Sequence, residues 1–139
     1  EKGLRRILNF GHTAAHAFEA LLFSRGKSVA HGIAVAHGIL IALILSHTQL
    51  SLPSDEIYRY ADRLLRPVYP IIPFTCDDYD FLLAAMRADK KNFGASAEGE
   101  SAPIRFVLLS EIGKPVESVP VGDDEILAAL DVYRDLIHS

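Results

Sequence analysis

His12 and His16 stand four residues apart in the run Asn9-Phe10-Gly11-His12-Thr13-Ala14-Ala15-His16, and a third histidine, His31, opens a later apolar segment. Side chains at i and i+4 of a helix lie on one face, one above the other, so His12 and His16 are expected to address the same pocket. Asn9, three residues before His12, and Arg5, four before Asn9, extend that stripe. A guanidinium, an amide and two imidazoles suit anion binding, proton transfer and metal ligation. The spacing alone does not choose among them, because histidine pairs at this interval also occur as packed or surface residues. It does not form the metalloprotease motif, which needs Glu directly after the first histidine, where this chain has Thr13.

The elements that must position these groups read as mainly helical. A first helix is expected from Lys2 to Leu22, followed by a polar break at Arg25-Gly26-Lys27-Ser28. A second helix, from His31 to Gln49, is apolar on nearly all sides and is therefore expected at the centre, wrapped by the other helices. Ser54 is the expected N-cap of a third helix, Asp55 to Leu65, which should stop before Pro67. Pro70 and Pro73 mark a connector, and Thr75 or Asp77 caps a fourth helix that runs to Ala88. The small polar stretch from Ala95 to Ser101 suits a mobile loop. Arg105 to Leu109 and Ser118 to Val121 are expected to pair as a hairpin across Ile112-Gly113-Lys114-Pro115, before a last helix from Asp123 to Ile137. The expectation is a multihelical domain with a small two-stranded hairpin.

The chain has 139 residues, 50% of them hydrophobic, enough for one domain with a real core. Its 14 basic and 18 acidic residues give a formal net charge of -4 with no basic stripe, which argues against nucleic-acid binding. The single cysteine, Cys76, excludes an internal disulfide and suits a reducing cytoplasm; a small buried or half-buried residue is expected there, not a nucleophile. The apolar run from Ile33 to Leu45 is interrupted by His37 and Gly38 and is shorter than the roughly 20 residues that cross a bilayer, so no membrane span is expected. No glycines form the GxGxxG fingerprint of a dinucleotide site.

Six blocks in order carry a resemblance: Gly3-Leu4-Arg5; Leu8-Asn9-Phe10-Gly11-His12-Thr13; His16-Ala17 with Glu19; His31-Gly32 with Ala34-Val35; Asp89-Lys90-Lys91-Asn92; and Ile104-Arg105-Phe106-Val107-Leu108-Leu109 with Ile112-Gly113. Over nearly the whole chain they resemble the 3-dehydroquinate synthases, in which an N-terminal nucleotide-binding domain precedes a mostly helical C-terminal one. The resemblance implies that residues 1–139 form the C-terminal domain alone, inactive without its NAD-binding partner domain. It implies that His12 and His31 ligate a zinc or another divalent ion such as cobalt, the third ligand being a glutamate upstream; Glu1 and Glu19 stand too near to take its place. Arg5, Asn9, His16 and one of Lys90 and Lys91 would bind the sugar phosphate, with His16 also catalytic. The full enzyme, expected to be a cytoplasmic homodimer, would convert 3-deoxy-D-arabino-heptulosonate 7-phosphate to 3-dehydroquinate and phosphate in the shikimate pathway of aromatic amino acid biosynthesis.

Ala-His-Gly occurs twice, at Ala30 to Gly32 and at Ala36 to Gly38. Only His31 fits the family pattern HGxAV, which leaves His37 as a histidine of the core or one that supports a ligand from behind. Two positions depart from the family: Ala15 stands where Gly is usual, and Ile33 where Glu usually follows His-Gly. Ile33 removes a charge beside a metal ligand and keeps open a related sugar-phosphate cyclase with another substrate. A non-catalytic helical metal-binding module is the remaining alternative, but it gives Arg5, Asn9 and the Asp-Lys-Lys-Asn block no role.

Overall fold

A computed structural model of the protein describes residues 10–88 and 103–138. Among the described residues, four helices of ten or more residues and a shorter one, α3, enclose one apolar core with a hairpin on its flank: α1 (His12–Ser24), α2 (His31–Leu50), α3 (Asp55–Tyr60), α4 (Tyr79–Ala88), β1 (Ile104–Glu111), β2 (Lys114–Val121) and α5 (Asp123–Ile137). The mainly α class with a two-stranded antiparallel sheet matches the sequence reading.

Helix α2 is the central element. Leu40, Ile41, Ile44 and Leu45 are buried along it, and it packs against α1, α3, β1 and α5. Helix α4 lies mainly on α1 instead of wrapping α2 directly. By length and composition α2 could cross a membrane, but 61% of its apolar window is buried inside this fold, as in a core helix of a globular domain.

Polar groups fix the packing at particular points. The buried Ser46 hydroxyl donates to the Ala42 carbonyl at 2.7 Å and accepts the Leu109 N–H at 2.8 Å, tying β1 to α2. On the other side of α2, the buried His37 bridges two elements. Its Nε2–H donates to the Pro70 carbonyl and its Nδ1 accepts the Tyr133 hydroxyl of α5, both at 2.7 Å. A carbonyl cannot donate, which fixes that tautomer. Phe18, Phe74 and Tyr133 stack beside it, with ring centroids 5.3 to 5.9 Å apart.

Several boundaries differ from expectation. Gly11 has φ 83, a left-handed conformation that a right-handed helix cannot contain, so α1 begins at His12; the part expected from Lys2 to Asn9 lies outside the described residues. Ser54 stands at the N-cap position expected of it, but in helical conformation and with no side-chain cap hydrogen bond. The third helix does not stop before Pro67: α3 passes into a π-helical stretch, Ala61–Leu65, and a last turn, Arg66–Val68. Proline removes one N–H from the ladder, and widening the turn ahead of it is one way a helix accommodates that loss.

Of the two candidate caps for the fourth helix, Thr75 serves: its hydroxyl accepts the Asp77 N–H at 3.2 Å, and its own N–H donates to Asp78 Oδ2 at 2.9 Å. A short 3-10 turn, Cys76–Asp78, then leads into α4. Cys76, in that turn, is exposed and not packed as expected. The hairpin is longer than expected, with a two-residue turn at Ile112-Gly113 where Gly113 has φ 85. Pro115, read as loop, lies in β2 opposite Leu109, which a two-stranded sheet permits since each strand is an edge.

Candidate metal and substrate site

Two glycines bring the site's helices together. A Cβ on Gly38 of α2 would lie 2.1 Å from the Gly11 carbonyl oxygen, and one on Gly11 would lie 2.8 Å from the Ile39 backbone nitrogen. Only residues without side chains allow that approach. Ala15, buried completely at the same crossing, is accommodated where the family usually has glycine. At the other end of α1, Arg25 pairs with Asp78 and donates to the Pro73 carbonyl, anchoring the loop that returns the chain into α2.

The crossing places three imidazoles together. Ring centroids are 5.6 Å apart for His12 and His16, 5.2 Å for His12 and His31, and 6.0 Å for His16 and His31. The i, i+4 argument thus holds for the first pair, and the first residue of α2 joins it from a second helix. His12 and His31 are each the first residue of their helix, where the backbone dipoles favour an anion.

Glu19, seven residues after His12 and three after His16, shares their face of α1. Its Oε2 lies 2.8 Å from His31 Nδ1. Donor atoms of His16, Glu19 and His31 all fall within 4.8 Å of one another, a grouping able to hold a metal ion. Nitrogen and carboxylate oxygen donors on two helices fit zinc or a similar divalent ion, whose bonds to them are about 2.0–2.2 Å long. Glu19, expected to stand too near to serve as a ligand, is thus part of the group, and its i+3 and i+7 spacing from the two histidines is the sequence signal for it.

The other sequence expectations divide. His37 takes no part in the cluster, since both its ring nitrogens are engaged in the core. Burial holds its pKa below the usual histidine value, against the opposing hydrogen bond to Pro70. Ile33 packs against the core, and the carboxylate that meets His31 is that of Glu19. Arg5, Asn9, Lys90 and Lys91, and the stretch from Ala95 to Ser101, lie outside the described residues.

Residues 1–92 match the family model described as 3-dehydroquinate synthase C-terminal. The chain is 39% identical over 135 residues to the 3-dehydroquinate synthase of Parabacteroides distasonis, covering 97% of this chain and 36% of that protein. It is 39% identical over 133 residues to the one of Geobacillus thermodenitrificans, covering 96% and 33%. It thus spans about a third of the length of the curated relatives it matches. Among solved structures, a 2-deoxy-scyllo-inosose synthase complexed with carbaglucose-6-phosphate, NAD+ and Co2+ superposes with a TM-score of 0.67 over 93% of this chain and 34% of that one. At 23% identity, this likeness shows the fold alone.

Proposed function

Because the chain belongs to the 3-dehydroquinate synthase C-terminal family, we propose that it supplies the metal- and substrate-binding half of an enzyme that releases phosphate from 3-deoxy-D-arabino-heptulosonate 7-phosphate to form 3-dehydroquinate. The observation that carries this reading is the convergence of His12, His16 and His31 from two helices, with Glu19 beside them. In this reading the remaining two-thirds of the enzyme brings the nucleotide-binding domain, which holds NAD, and the whole acts as a cytoplasmic homodimer in the shikimate pathway. A structural neighbour complexed with NAD+ and Co2+ supports a nicotinamide and a divalent ion in this fold.

His12 and His31 would hold the divalent ion, zinc or cobalt, together with an upstream carboxylate. When bound, the ion supplies Lewis-acid polarisation of substrate hydroxyl and carbonyl oxygens. The chain's own residues do the rest. His16, one turn along α1 from His12, holds the phosphate or passes a proton as that group departs; imidazole serves both purposes near neutral pH. The helix starts at His12 and His31 favour the same anion. Arg5, Asn9 and a lysine of Lys90-Lys91 complete the neutralisation of the substrate's phosphate and carboxylate ends.

The deciding experiment measures phosphate release by the enzyme that contains this chain, with the heptulosonate phosphate and with glucose 6-phosphate offered separately. Turnover of the first and not the second is the expected result. Turnover of glucose 6-phosphate alone would move the chain to a related cyclase with another substrate. Zinc binding with no turnover of either would favour a metal-binding module.

A further inference from the structure

We propose that Glu19 is a positioning residue for His31: it fixes the ring with its proton on Nδ1 and leaves Nε2 as the nitrogen that takes a divalent cation. The inference rests on the metal reading above and deepens it. The 2.8 Å contact between Glu19 Oε2 and His31 Nδ1 has the length of an ordinary hydrogen bond. An ionised carboxylate can only accept, so Nδ1 is the donor, and in a neutral ring the lone pair then sits on Nε2.

His31 needs such a hold. Its side chain is 56% exposed at the start of α2, whereas that of Glu19 is 29% exposed on the face of α1 that carries His12 and His16. The bond therefore docks the exposed imidazole onto the helix that presents the other two. Carboxylate partners of this kind orient metal-ligating histidines and raise their basicity, and losing one weakens metal affinity by about 10- to 100-fold. Beside His31 in the sequence, Ile33 offers no carboxylate for the task. The competing role is direct ligation by Glu19, since its carboxylate also lies within 4.8 Å of donor atoms on His16 and His31.

Two-bond nitrogen–proton spectra of the 15N-labelled 139-residue chain, without metal and with zinc, separate these roles. The proposal expects an Nδ1-protonated His31 in the metal-free protein and a zinc-dependent shift at its Nε2. Glu19→Ala should scramble the tautomer and weaken zinc binding, measured calorimetrically, by about 10- to 100-fold. Glu19→Gln keeps an acceptor oxygen, so it should hold the tautomer and lose less than about 10-fold. Zinc taken at His31 Nδ1, or Gln as damaging as Ala, would overturn the proposal and make Glu19 a ligand. Unchanged zinc affinity in His31→Ala would instead overturn the metal reading itself, while the metal-free tautomer still reports whether Glu19 holds the ring.

Discussion

Gly38 and Gly11 meet backbone to backbone where α2 crosses the start of α1, and no Cβ fits between them. Gly38→Ala would put a methyl group 2.1 Å from a carbonyl oxygen that has no rotamer by which to retreat. The helices must separate, at a cost of about 1–3 kcal/mol or more by the measure of overpacked cores. His31 would then move away from His12 and His16, so zinc affinity should fall along with the urea midpoint. Gly32→Ala is the contrast: a Cβ there meets nothing within 4 Å, and in a helix it should stabilise by up to about 1 kcal/mol. Equal midpoints for the two variants would refute the close-approach account.

Ser46 offers a second measurement, on the joint between α2 and the hairpin. Ser46→Ala leaves the partly buried Leu109 N–H without its partner. An unsatisfied buried donor costs about 1–3 kcal/mol. Chemical denaturation should show that loss, and hydrogen exchange should quicken first at Leu109. Ser46→Cys, a weaker acceptor, should fall between the two. A wild-type midpoint for Ser46→Ala would mean that β1 does not depend on this bond.

What the sequence made legible was whatever depends on short-range spacing. The His12–His16 interval, the all-round apolar character of α2 and the paired strands each follow from periodicity, and each stands in the fold. The family pattern also separated His31 from His37, and the core bonds of His37 give the physical reason. The spacing of Glu19 puts it on the histidine face of α1, but its contact with His31 depends on an interhelical approach set by Gly11 and Gly38, which no local pattern reports. Gly11 was likewise read through as helix, although a glycine just ahead of two pocket-facing histidines marks a turn as readily. Pro67 misled in the other direction: a proline excludes an ideal ladder but not a widened one.

His37 gives the protein a pH-dependent term. Burial lowers its pKa in the folded state below 6.5, the value taken for an unperturbed histidine. As the pH falls below that value, the unfolded chain takes up a proton that the folded core refuses, so stability declines until the folded-state pKa is also passed. Above the unfolded value the contribution is fully present. The His37 ring proton should titrate with a midpoint below 6.5 by NMR, and the melting temperature should fall across that window. A midpoint above 6.5 would show that the bond to Pro70 outweighs burial.

The division of labour between His12 and His16 is the sharpest question the cluster poses. Their rings are 5.6 Å apart, and His16 shares with Glu19 and His31 a set of donor atoms close enough to hold an ion. If His12 and His31 are the ligands and His16 serves the phosphate and the proton, the variants must separate. In the enzyme containing this chain, His12→Ala and His31→Ala should strip both metal and activity. His16→Ala should keep near-normal zinc, measured by elemental analysis, while turnover drops by about 100-fold or more, the usual scale for a lost acid–base group. His37→Ala should destabilise the fold by leaving the Tyr133 hydroxyl and Pro70 carbonyl unpaired, yet keep zinc in whatever protein remains folded. Zinc lost from His16→Ala as completely as from His12→Ala would make His16 a ligand, and the proton would then need another carrier.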